Sequence, residues 1–175
     1  MQRRAPDNGL ETESGPERLG KERFDPANRR CLSAPALRTF LAIADLWGLE
    51  EEERRLVLGY PSRSTLRAWG KAVRAGGHPT LAVDVLTRIS AVLGIHQALG
   101  TRHEGERDGV AWLRRPHRAT IFGGNPPMML VIGGTLDGLM TLRRFLDAAC
   151  GGLYMPPNGA DLDFVPYGDA EIFLS

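Results

Sequence analysis

Cysteine is scarce in this chain of 175 residues, and the two present, Cys31 and Cys150, lie too far apart to suggest a disulfide framework or a metal knuckle. Long apolar runs are missing too. None approaches the roughly 20 residues needed to span a bilayer, and the opening Met1-Gln2-Arg3-Arg4-Ala5-Pro6 leads into polar sequence without the apolar centre of a secretory signal. A cytoplasmic location without membrane contact is therefore expected. An excess of one charge is also lacking. With 22 Lys+Arg against 21 Asp+Glu the net charge is +1, so no global pull toward nucleic acid or membrane operates, and any such role must rest on regional charge.

Catalytic constellations are poor. His78, His96, His103 and His117 fall in or near expected turns and never pair at metal-ligand spacing. No nucleophile elbow, phosphate-binding loop or supported pair of carboxylates occurs. Gly123-Gly124-Asn125 has the look of an anion nest, but two prolines follow at once and supply no N–H donors, which makes a simple turn the better reading. The expectation is a non-enzymatic chain without metal or cofactor.

What is present is an ordinary globular balance, 42% hydrophobic and 25% charged, and a length suited to one core or two small helical modules. Residues 1–31 are rich in Gly, Pro, Glu and Arg, almost free of aliphatic residues, and expected to be a disordered extension in which Phe24 is a lone aromatic. Ordered sequence begins near Ser33 and Pro35, a plausible helix start, and apolar residues then recur at helical spacing. The periodicity predicts an all-α protein with helices at about 34–47, 50–58, 62–75, 80–95, 105–114, 127–133 and 135–150. A polar stretch, Gly100 to Asp108, divides these into a module at 32–100 and a second at 101–152. The final segment, 153–175, holds three prolines and four acidic residues but no Lys or Arg, and reads as an extended tail.

Two features carry functional content. On the third helix Arg63, Arg67, Lys71 and Arg74 recur at i, i+4, i+8 and i+11 and so share one exposed stripe. From Arg54 to Arg88 seven basic residues stand against one acid, Asp84. A cationic helix after a short helix and a tight turn is the pattern of a helix-turn-helix reader, although a plain solvated face has the same composition. The second feature is the tail, where Asp161, Asp163, Asp169 and Glu171 alternate with Phe164, Tyr167 and Phe173.

The run Trp112-Leu113, Phe122-Gly123-Gly124-Asn125-Pro126-Pro127, Gly133, Leu139, Arg143, Leu146 and Gly151 resembles the toxin-binding domain of Xre/MbcA/ParS antitoxins, closest to the ParS-like members. Upstream, Leu56-Val57-Leu58-Gly59 followed by Ser62-Arg63-Ser64-Thr65-Leu66-Arg67-Ala68-Trp69 is similar to the Xre-like helix-turn-helix of the same antitoxins. The resemblance covers roughly residues 33 to 152. It implies a type II antitoxin that binds a RES/ParT-type toxin acting on NAD, by degradation or ADP-ribosyl transfer, and that represses its own operon by binding operator DNA, as a homo-oligomer in the complex. It further implies that the C-terminal end lies at or in the toxin's NAD pocket. Leu139, Leu142, Arg143 and Leu146 are then expected to contact the toxin. Of the tail, Asp161, Asp163, Asp169 or Glu171 would pair with basic groups of that pocket, and Phe164, Tyr167 and Phe173 would fill apolar or base-stacking space. The alternative is a DNA-binding regulator whose C-terminal module only dimerises.

Overall fold

The computed structural model describes residues 25–151. Asp25 caps the first helix, its carboxylate accepting from the Ala27 N–H at 2.8 Å, and Pro26 occupies the first helical position, where a missing N–H costs nothing. Helix α1 then runs Pro26–Leu46. The expected start near Ser33 is corrected by about two turns, and residues 26–31, read as disordered, are helical. The sequence misleads because Ser33 and Pro35 mimic a cap. Ser33 is instead fully buried, its hydroxyl donating to the Arg29 carbonyl and accepting from the Leu81 N–H at 2.9 Å. Pro35 sits exposed inside the helix. The lone aromatic Phe24 and the rest of residues 1–24 lie outside the described residues.

Helix α2 (Glu51–Val57) opens with Glu51, Glu52 and Glu53 in its first turn, next to the partial positive charge of a helix start. The Glu50 N–H donates to the Glu53 carboxylate at 2.9 Å. Helix α3 (Arg63–Arg74) is capped by Ser62, which accepts from the Thr65 N–H at 3.1 Å. Helix α4 runs Val83–Arg102, seven residues further than expected, straight through part of the polar stretch assigned to a linker. Its extension is driven by burial: Val92, Ile95, Ala98 and Leu99 continue one apolar face into the core. Helices α5 (Glu106–Arg114), α6 (Met128–Ile132) and α7 (Leu136–Cys150) follow, with a short 3-10 turn at Thr120–Phe122. Every regular element among the described residues is helical.

One apolar core joins these helices. Phe40, Ile43 and Trp47 of α1 and its C-terminus, Ile89 and Ile95 of α4, Leu113 of α5, Val131 of α6, and Leu139, Leu142 and Leu146 of α7 belong to a single buried cluster. The expected boundary at residue 100 therefore falls inside α4, and the two expected modules share their interior. Helix α7 packs along α4 with the Arg143 side chain lying over Gly94: a Cβ there would lie 1.5 Å from the Arg143 guanidinium, which would have to move. No helix among the described residues is long and apolar enough to cross a membrane.

Candidate functional site

The α2–turn–α3 unit is built around Arg55. Its side chain is 10% exposed and fully engaged: Nε donates to the Pro61 carbonyl at 2.7 Å, Nη1 donates to Glu52 at 2.7 Å, and the guanidinium lies 4.1 Å from the Tyr60 ring centroid. Tyr60 follows Gly59 (φ 84°) and is itself left-handed (φ 63°), an arrangement that L side chains adopt only when the surroundings hold it. Here the Tyr60 hydroxyl donates to Glu52 at 2.7 Å and its N–H donates to the Arg55 carbonyl at 2.6 Å. The Tyr60 hydroxyl is the main cause that holds the Glu52 carboxyl below its ordinary pKa, with Arg55 and Arg63 adding to it and partial desolvation opposing. This packing fixes the angle at which the chain enters α3.

On α3 the four predicted cations are exposed, as expected of a stripe, but they are not equivalent. Arg67 forks onto Glu51 at 3.1–3.2 Å, and Arg63 reaches Glu52 at 3.4 Å and Glu51 at 3.8 Å. Lys71 and Arg74 form no ion pair among the described residues. The acidic first turn of α2 thus neutralises half of the stripe and leaves its C-terminal half free. Sequence reading missed this because the seven-to-one excess of base over acid was counted from Arg54, just past Glu51 and Glu52, the two acids that pair with the stripe.

The predicted partner face needs correction. Leu139, Leu142 and Leu146 are fully buried in the core. Their spacing of three and four residues is that of a core stripe, and α4 packs over α7, so the expected contact face is covered in this fold. Arg143 is likewise occupied, lying across Gly94 and bonding Asp147 at 2.8–2.9 Å and the Ser90 carbonyl at 3.4 Å. What this segment does expose is Met129, 56% accessible, and Ile121, 39%. A signal existed: Met128-Met129-Leu130-Val131-Ile132 is apolar on every side of a five-residue helix, so some of it must face outward. Asp161, Asp163, Phe164, Tyr167, Asp169 and Glu171 lie outside the described residues.

Around that segment, Trp112, Phe122 and Phe145 form an aromatic cluster, with Phe122 edge-on to both neighbours at 5.9 and 4.9 Å between centroids. The His117 ring, 4.5 Å from Trp112, bonds the Trp112 carbonyl at 2.9 Å, and the His117 backbone N–H donates to the Asn125 carbonyl at 3.3 Å. This pins the loop between α5 and α6. Cavities are small. The one beside Trp47, His96 and Glu106 holds about 110 Å³ and the one beside Arg143 and Cys150 about 250 Å³, both below the roughly 300 Å³ at which small-molecule sites begin. Among the described residues no three His, Cys, Asp or Glu side chains come together as a metal site.

The architecture defines an all-α protein whose candidate surfaces are helix faces rather than clefts. No family model matches the chain. Over 116 residues it is 35% identical to "Uncharacterized protein y4oB" of Sinorhizobium fredii (strain NBRC 101917 / NGR234), a match covering 66% of this chain and 84% of that protein. The chain belongs to the same family as y4oB.

Proposed function

We propose that this protein is an antitoxin of the Xre/MbcA/ParS kind, a non-enzymatic protein that binds and neutralises a NAD-using toxin of RES/ParT type and binds the operator of its own operon. The observation that carries the reading is the order of elements after α5. A proline-containing turn (Pro126-Pro127), a short helix (α6), a Gly-Gly break (Gly133-Gly134) and a helix stopped by Gly151 follow one another as in the toxin-binding domain that the sequence resembles. With the α7 leucines committed to the core, the docking face in this proposal is the apolar rim of the α5–α7 segment, Ile121 and Met129, presented on a 3-10 turn and a helix that are already formed. Such residues dock at little ordering cost, whereas the tail must be ordered on binding, at about 1–2 kcal/mol per residue of backbone entropy.

Co-expression with the neighbouring reading frame and pull-down tests the pairing, and NAD turnover by the captured toxin tests the inhibition. Deleting residues 153–175 is expected to leave a complex with an unblocked toxin. Equal inhibition by the truncated and full-length proteins would place inhibition in the folded part instead. Met129→Asp is expected to weaken capture roughly tenfold or more, as for a central apolar anchor, with the melting temperature unchanged. Capture by the variant at wild-type strength would remove α6 from the interface. Should no protein be captured while promoter DNA is bound, the chain is a regulator.

A further inference from the structure

Three segments distant in sequence meet at the side chain of Arg88 on α4, which is 12% exposed. Its Nε donates to Asp84 at 2.7 Å and its Nη1 donates to the Gly134 carbonyl at 3.0 Å, in the turn between α6 and α7. Gly59, the left-handed residue that ends α2, is pressed against the same group: a Cβ there would come within 3.1 Å of both Arg88 Nε and Asp84 Oδ2. Gly134 is left-handed as well (φ 75°), and a Cβ on it would meet Leu56 of α2 at 3.2 Å. The turn that launches α7 is thus hydrogen-bonded to one planar cation, and the turn that aims α3 passes the same cation with less room than a methyl group takes in ordinary contact.

The geometry points to Arg88 as a positioning residue that couples the α6–α7 turn to the α2–α3 turn, so that a protein docked on the C-terminal helices changes how α3 is presented. A guanidinium has its donors in a fixed fork. Moving the Gly134 carbonyl by more than about 0.5 Å either breaks its bond or turns the fork, and a turned fork shifts against the Gly59 turn, where a methyl group already lacks ordinary contact distance. Coupling of this kind is carried by a packed group with two arrangements that both ends bias. Which ligand each end takes rests on the antitoxin reading; the link itself does not.

Amide hydrogen exchange on the full-length protein tests it, using wild type, Gly134→Ala, Arg88→Met and the double variant. Gly134→Ala strains the α6–α7 turn and also presses on Leu56 of α2, so the link is read from the part of its effect that depends on Arg88. It is expected to speed exchange of the Tyr60–Arg67 amides roughly threefold or more, and to have a clearly smaller effect once Arg88 is Met, the non-additivity that marks coupled sites. Unchanged protection of Val92–Leu99 reports an intact core. Should Arg88→Met fail to fold, Arg88→Lys replaces it, since one ammonium keeps the charge beside Asp84 without the two-pronged reach. The link is overturned if the α3 amides ignore Gly134→Ala, or respond equally with and without Arg88. Neither DNA nor a partner is used, so a negative result leaves the antitoxin reading standing, and failure of that reading leaves the link.

Discussion

Tyr60 occupies a backbone region that usually takes glycine, yet its side chain is what the turn depends on. Tyr60→Phe removes the hydroxyl that chiefly lowers the Glu52 pKa. A carboxyl with a depressed folded-state pKa adds stability above its unfolded value, about 4.3, and loses it as pH falls through the folded value. Thermal melts from pH 7 down to about 3 are therefore expected to show a smaller acid-induced loss for Tyr60→Phe than for wild type. Parallel curves would mean that Glu52 titrates alike in both. Gly94 behaves differently, because only a movable side chain fills its space. Gly94→Ala in the wild-type background displaces Arg143 from Asp147 and Ser90 and should lower the melting temperature. With Arg143→Ala already present, the same change should raise stability by up to about 1 kcal/mol, the helix-propensity gain of Ala over Gly. A change of the same sign in both backgrounds contradicts the packing described.

At the scale of elements, α2 screens α3. Glu51 holds Arg67 and shares Arg63 with Glu52, so the phosphates of any nucleic acid must compete for these guanidiniums. Glu51→Gln is expected to strengthen promoter binding in anisotropy titrations. Lys71→Ala should weaken it and reduce the slope of log K against log salt by about 1. Weaker binding by Glu51→Gln would assign the pair to holding α3 in place. Helices α2, α3, α5, α6 and α7 were legible in the sequence to within about two residues because caps and glycines punctuate them. The start of α1 and the end of α4 were not. At Ser33 a cap-like residue serves a long-range bond to Leu81, and beyond residue 95 burial against α7 outweighs glycines at 94 and 100. The basic stripe was legible as exposed cations, but its neutralisation depends on a contact sixteen residues away. The leucines of α7 were read as a face without knowledge of what covers it.

For the whole molecule, a single core predicts a single cooperative transition, with helicity and tryptophan fluorescence melting together. Leu142→Ala should cost about 2–5 kcal/mol, as for a buried leucine in a site that closes poorly. A fragment ending at residue 100 should fail to fold, because it exposes the α4 face that α7 covers and cuts α4 itself. A fragment with native-like helicity and a sharp melt would restore two independent modules.

The cover that α7 lays over α4 also sets a schedule. During synthesis the apolar face of α4 is finished by residue 102, whereas Leu146 arrives 44 residues later (146 − 102). At about 5–20 residues per second that interval is roughly two to nine seconds. Throughout it the nascent chain offers a sticky, incompletely paired helix to chaperones and proteases. Newly made copies are thus most vulnerable before α7 is made, and supply of the folded protein depends on translation running through that helix.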